Sequence, residues 1–517
     1  MITITDKEIK KALLLLGLML LSLAVDASST KINGINYNLN SSNNTAEVAY
    51  GGYSGNLVIP SLVTKGEVDY TVTSIASNAF YNCPKLISIT IPKSVTTIAT
   101  RREFFYNNKK LNSIIVEEGN PNYDSRENCN ALIETASNKL LYGCNGSFIP
   151  DGVTTIGEAA FSKCAELTSL VIPNSVTTIE DGAFSGCSGL TSVYIGTGLE
   201  HIGEYIFNEC DNLKTTEINS NALVSKNYSS EEINAGGLFW GAPVEEVILG
   251  EEVRSIGDYA FAGCGMLSIK MFDNVTKIGD CAFQQCLSLT SVELSNNLTY
   301  IGKWAFTMCF NLLSITIPQS VRCIDQIAFY WCDKLTKVVI NSNEVVAREN
   351  EQFYTLRSCF GPQVKEFVFG EDVRKIAYIA CSESEKLTTV TIPANVTCVE
   401  DSAFYKCTSI TDIYFYAEQV PETDKDVFAD SNYKNATLHV PANAVEAYSN
   451  AEQWKDFGSI VALTDNDTKL TGIQSINNEV ITAERYYSLD GKQTTTPQRG
   501  LNIIRMSDGT TKKVILK

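Results

Sequence analysis

A chain of 517 residues with 44% hydrophobic and 19% charged side chains is long enough for a sizeable core, and its composition is neither disordered nor fibrous. The formal net charge of −18, from 59 acids against 41 bases, argues against nucleic acid or an anionic membrane surface as partner. The same acidity also serves simply to keep a long chain in solution.

Residues 1–27 read as a secretory signal peptide. Lys7, Lys10 and Lys11 precede an apolar run from Ala12 to Val25, and Val25-Asp26-Ala27 is a small-residue cleavage site before Ser28. The run is too short to span a bilayer comfortably. No Cys precedes Cys83 to carry an N-terminal lipid, and no later apolar run is long enough to cross a membrane. The expectation is an exported mature chain with no membrane span. Residues 28–72 are expected to form an N-terminal cap, with a loop at 40–44 and short strands over 48–60. The open end of a coil stack otherwise exposes core and strand edge.

From residue 73 to 463 one frame recurs, most completely at residues 172–195. It has Pro173 after an apolar residue, an apolar pair at Val176 and Ile179, Ala183-Phe184, Cys187, Leu190, and the alternating Val193 and Ile195. Phe161, Phe184 and Phe207 are 23 residues apart, and Phe261, Phe283, Phe306 and Phe329 come next at 22, 23 and 23. A fixed period in the twenties predicts a leucine-rich-repeat solenoid, mostly β with short 3-10 or helical turns, its coils stacked in a right-handed curve. Leu190, Val193 and Ile195 suit a strand with one buried face. Pro173, like Pro92, Pro318 and Pro393, ends such a run where a missing N–H stops the ladder between coils. Phe184 and Cys187 share one face of a tight turn. Val176 and Ile179 add a third apolar side, so each coil encloses a core that no repeat buries alone.

The frame has predicted irregularities. In the second repeat the step from Ile98 to Phe105 is two residues longer than the standard five, and Asn108 takes the Cys place. Enlarged coils are expected near 117–150, 219–250 and 341–370, the first hairpin-like, the other two opening on the same Ile-Asn-Ser-Asn words at Ile218 and Ile340. In the coil at Ile376, Cys381 replaces Phe and Ser384 replaces Cys, which makes this coil the expected soft point. An amphipathic stretch from Ala444 to Phe457, carrying Trp454, is expected to form a cap helix. Residues 464–470 read as a linker and 471–517 as a small separate β unit.

The chain has sixteen cysteines and two histidines. Nine cysteines stand three residues after Phe, one per coil, and none shows the short ligand spacing of a metal site. In stacked coils they are best read as small apolar core filler. Cys129 and Cys144 are the better disulfide candidates in an exported chain. His201 occupies the place of Thr178 in its coil, and His439 precedes Pro441 in a strand. Neither is marked as part of a triad, and phosphate loops, zinc helices and calcium loops are missing from the sequence. No catalytic residue, cofactor or metal is therefore expected, and the chain is not read as an enzyme.

What remains is surface. In each main strand the residue between the last two core positions should point out of the sheet: Thr90, Ile115, Val171, Tyr194, Glu217, Glu293, Thr316, Val339, Thr391 and Tyr414. Such a column is flat, β-branched and sparsely charged, which suits a protein or glycan partner. β-branched residues are equally placed there by strand propensity alone.

The frame at 172–195, echoed at 149–172 and 296–317, resembles the BspA-like leucine-rich repeats of bacterial surface proteins over roughly residues 48–463. That resemblance implies an exported or surface-exposed adhesin binding a host extracellular matrix or cell-surface protein, or another bacterial surface. The tail, with Tyr486-Tyr487, Asp490-Gly491, Gly500 and Asp508-Gly509, is similar to the C-terminal sorting domains of the type IX secretion pathway. This implies a Gram-negative cell surface or the medium as its destination. The alternatives are a solenoid scaffold for a secreted hydrolase, with a site in the long insertions, and a structural envelope protein.

Overall fold

The computed structural model describes residues 29–99, 104–232, 234–239, 241–348 and 354–464, together with four strands in the tail. The expected signal peptide and all but the first residue of the expected linker lie outside the described residues.

The coils stack through their main strands, which pair in parallel and in register. One sheet runs through Ser169–Ile172, Ser192–Ile195, Thr215–Ile218, Glu246–Leu249, Ser268–Met271 and Ser291–Glu293. A second runs from Ser314–Ile317 through Lys337–Ile340, Glu366–Phe369, Thr389–Ile392, Asp412–Phe415 and Thr437–Val440 to Ser459–Ala462. The two-residue period puts the second and fourth residue of most of these strands inside, as with buried Val193 and Ile195. A second side is built from two-residue strands such as Thr155–Ile156, Thr178–Ile179 and His201–Ile202, each with its Ile inward.

The third side is the Phe turn. Rings of successive coils stack, at 5.1 Å for Phe161 on Phe184, 5.3 Å for Phe184 on Phe207, and 4.8 Å for Phe306 on Phe329. The residue two after each Phe has positive φ, as in Lys163, Glu209, Gln285 and Met308, which turns its N–H to the following coil. Thus Phe161 N donates to Ala183 O at 2.7 Å and Lys163 N to Ser185 O at 2.8 Å. Gly203 begins the turn where two coils approach closely: a Cβ there would lie 2.3 Å from Asp181 Oδ1.

All sixteen cysteines are free thiols, Cys129 and Cys144 included. Those in the turn are buried, as core filler should be, and most of them also donate a hydrogen bond. Cys187 Sγ reaches Phe161 O at 3.1 Å, Cys309 reaches Phe283 O at 3.3 Å, and Cys332 reaches Phe306 O at 3.1 Å. The thiol thus satisfies a buried carbonyl one coil back while filling apolar volume. Asn108 does the same with an amide, its Nδ2 donating to Phe80 O at 2.8 Å. Ser384 does not: Phe360 O is taken by Gln363 Nε2 at 2.6 Å, and the buried Ser384 Oγ has no partner among the described residues. The ring missing at Cys381 is offset by Phe367, which stands where other strands carry a smaller side chain and packs 6.2 Å from Phe360.

The enlarged coils at 218 and 340 share their construction. Ser220 and Ser342 cap the short helices Asn221–Ser225 and Asn343–Val346, accepting from Leu223 N and Val345 N. The coil at 117–150 carries the antiparallel hairpin Leu132–Glu134 and Lys139–Tyr142. This hairpin divides the core: the bridge pair Leu132 and Tyr142 belongs to an N-terminal apolar cluster that begins at Ile35, and the pair Ile133 and Leu140 to the cluster that runs on to Phe457.

Both ends are covered. At the N-terminus the strands Thr30–Ile32, Ile35–Asn40, Thr45–Val48, Leu62–Lys65 and Val68–Ile75 form a mixed sheet. At the C-terminus the helix spans only Val445–Asn450, shorter than the expected 444–457. Trp454 lies beyond it, fully buried, with Nε1 donating to Thr423 Oγ1 at 3.0 Å, and the strand Ser459–Ala462 then adds to the sheet. Indole burial and that strand, rather than helix propensity, set the path of the chain here. The tail forms a four-stranded antiparallel sheet from Ala483–Tyr487, Gln493–Thr494, Gly500–Met506 and Thr511–Leu516.

Candidate interaction surface

Strand register assembles the expected outward column. Val171, Tyr194, Glu217, Ile248, Lys270 and Glu293 are consecutive partners in the first sheet. Thr316, Val339, Val368, Thr391, Tyr414, His439 and Val461 are consecutive partners in the second. Thr90 and Ile115 pair in the N-terminal sheet, beside Val58. Val171, Ile115, Glu293 and Thr316 are exposed, while Thr90, Tyr194, Glu217, Val339 and Tyr414 are half-buried.

Thr391 corrects the expectation, since only 6% of it is exposed. Its register partner Val368 is likewise buried, at 1% exposed, so the column is covered over these two coils, where Thr391 lies between Val368 and the larger Tyr414. Ile248, Lys270, Val368, His439 and Val461 join the column without having been singled out in the sequence. Enlarged coils, and for all but His439 the missing Pro at the strand end, hid their place in the frame.

The column is apolar and aromatic with few charges. Tyr414 stacks on His439 with ring centres 4.3 Å apart, and His439 Nε2 lies 3.0 Å from Asp412 Oδ1. Burial, with Glu217 and Glu252 nearby, raises the Tyr194 phenol above its ordinary value. Lys270 Nζ donates to both carboxylate oxygens of Glu293, at 2.8 and 2.9 Å.

The main-strand ladder is interrupted between Ser291–Glu293 and Ser314–Ile317. The bond from Leu313 N to Thr290 O stretches to 3.5 Å there, against 2.8 Å from Thr290 N to Leu267 O one coil earlier. A shallow depression of about 650 Å³ lies over the break, lined among others by Glu246, Ser268, Lys270, Glu293, Thr316 and Asn341. Val292 and Leu294, at core positions, are only half-buried beneath it. The arrangement offers a polar rim around exposed apolar surface, which is the make-up of a protein contact.

Among the described residues no group of three or more His, Cys, Asp or Glu is placed to hold a metal, and no helix is long and apolar enough to cross a membrane.

Among solved structures the chain is similar to a leucine-rich cell surface protein from Faecalibacterium prausnitzii, at 23% identity over 77% of this chain and 95% of that one, with a TM-score of 0.31. It is also similar to a leucine-rich repeat protein from Bacteroides ovatus, at 22% identity over 84% of this chain and 100% of that one, with a TM-score of 0.31. No curated protein matches the chain. The family model described as "BspA type Leucine rich repeat region (6 copies)" matches residues 61–137, 134–233, 231–359 and 350–453. With its frame, its coil stack and three quarters of its length accounted for, the chain belongs to the BspA-type leucine-rich repeat family.

Proposed function

We propose that this is an exported cell-surface protein of a Gram-negative bacterium that binds a protein partner through the outward face of its main strands. The partner is a host extracellular matrix or cell-surface protein, or the surface of another bacterium. The observation that carries the reading is the in-register column from Val171 to Glu293 and from Thr316 to Val461, a largely uncharged strip along much of the solenoid, interrupted between the two sheets and covered at Val368 and Thr391. A strip of this kind gives a partner many small contacts at little desolvation cost. The N-terminal Lys-rich and apolar segment supports export.

The test is binding of the purified chain to a panel of extracellular matrix proteins and to bacterial cells. Saturable binding is expected, weakened about tenfold by Tyr194→Asp or Thr316→Asp with the circular dichroism spectrum unchanged. Binding that ignores both substitutions, or none at all, overturns the reading. The C-terminal unit is proposed as the secretion address. Deleting residues 471–517 is then expected to hold the chain in the periplasm, and surface display of the truncated chain would refute this.

A further inference from the structure

Most Phe turns are joined by a ladder in which the residue two after the Phe donates its N–H to the following coil. Asn82 N reaches Tyr106 O at 2.8 Å, Lys163 N reaches Ser185 O at 2.8 Å, and Gly186 N reaches Asn208 O at 2.7 Å. Between the turn at 104–108 and the turn at 159–164 a rung is missing. The intervening chain is shortened there, and it contributes only Gly143 N to Ala160 O at 2.8 Å. Asn145 N turns back to Leu111 O, and its side chain closes one end of the gap by bridging Lys109 O and Glu166 N. In consequence Asn107 N–H and Ser162 C=O have no hydrogen-bond partner among the described residues. Every coil-to-coil step of this stack spans about 4.8 Å, so the omitted turn leaves about 10 Å between those walls, the width of one extended chain.

The gap is a slot of about 860 Å³. Its floor is filled, because the rings of Phe105 and Tyr142 meet at 5.3 Å where another coil would place its Phe. One wall is Tyr106, 43% exposed and stacked on Tyr81 at 5.2 Å. The Lys163 ammonium lies across the opening, 4.8 Å from the centre of that ring. Lys109 and Lys163 are balanced by Glu166 and Glu209 in the lining.

We propose that this slot binds an uncharged, turn-forming peptide segment of a partner protein, which supplies the missing rung. The segment's carbonyl accepts from Asn107 N–H, and its next N–H donates to Ser162 C=O, the same pattern as main-chain recognition at a sheet edge. The filled floor requires a small inward side chain, and the balanced lining favours a segment without net charge. The slot is on the turn side of the coil and is separate from the main-strand face.

The probe is a blocked synthetic peptide of the turn itself, residues 182–190 with Phe184→Ala and Cys187→Ser, biotinylated and immobilised against the full chain. Saturable binding is expected. N-methylation of the peptide at Gly186, which removes the N–H meant for Ser162 C=O, is expected to weaken it about tenfold. Lys163→Gly is expected to tighten it, since the ammonium no longer has to be displaced, and regular coils carry Gly186 and Gly263 at this place. The proposal is overturned by absence of saturable binding at millimolar peptide, by indifference to the N-methyl group, or by unchanged affinity in Lys163→Gly. Such a result leaves the main-strand reading untouched, because the probe does not test that face.

Discussion

In the regular coils a turn cysteine such as Cys187, Cys210, Cys286, Cys309 or Cys332 meets two demands at one position: it is apolar enough for a core of stacked rings, and it donates to the Phe carbonyl of the preceding coil. A thiol does both, and Asn108 shows that an amide can replace it where space allows. The rings supply most of the burial energy on this side. Phe184 is fully buried between Phe161 and Phe207, so Phe184→Ala is expected to cost about 3–5 kcal/mol in chemical denaturation. A loss under about 1 kcal/mol, as at a surface site, would mean the ring is not core. The buried thiols also set an alkaline limit. Burial pushes Cys359 and Cys407 from 9.0 to about 12. Because the folded value is the raised one, their contribution is intact below pH 9 and is lost progressively as pH rises toward 12. Thermal unfolding measured between pH 8 and 11 should therefore show a falling midpoint.

At the scale of the coil, regularity depends on links to the coil before. The coil at Ile376 has lost one, since Ser384 Oγ is unpaired where a thiol would reach back. Its backbone rung persists, with Cys381 N donating to Ala403 O at 2.8 Å. Native-state hydrogen exchange is expected to find the amides of residues 376–384 opening before those of the coils at Phe184 and Phe306. Equal protection would show that Phe367 restores all that the substitutions remove. The frame itself was legible in the sequence because Phe, Cys and the alternating strand recur at fixed spacing. The extent of the cap helix was not, since the amphipathic pattern of 444–457 continues past Asn450, and only Trp454 meeting Thr423 decides where the helix stops.

Across the whole molecule the hairpin at 132–142 is a partition, with one bridge pair on each core cluster. A solenoid's cooperativity passes through neighbour contacts, and here the neighbour contact is a thin hairpin rather than a full coil. Calorimetry is expected to resolve two transitions, with the segment N-terminal to the hairpin unfolding separately from the coils C-terminal to it. A single transition with coincident probes would show that the partition transmits stability as well as a regular coil does. The same irregularity creates the turn-side slot, so the place where the stack is weakest in packing is also where main-chain groups are left over.

The sequence by itself determined the solenoid, its period, the inward face of each strand and most of the outward column. These arise from local periodicity, which repetition makes unmistakable. Only the tertiary structure decided that Thr391 is shielded, that the ladder breaks beside Glu293, that the cysteines are donors, and that a rung is missing opposite Asn107. Those features depend on which side chain lies one coil away, a relation between residues some two dozen positions apart whose spacing shifts wherever a coil is enlarged.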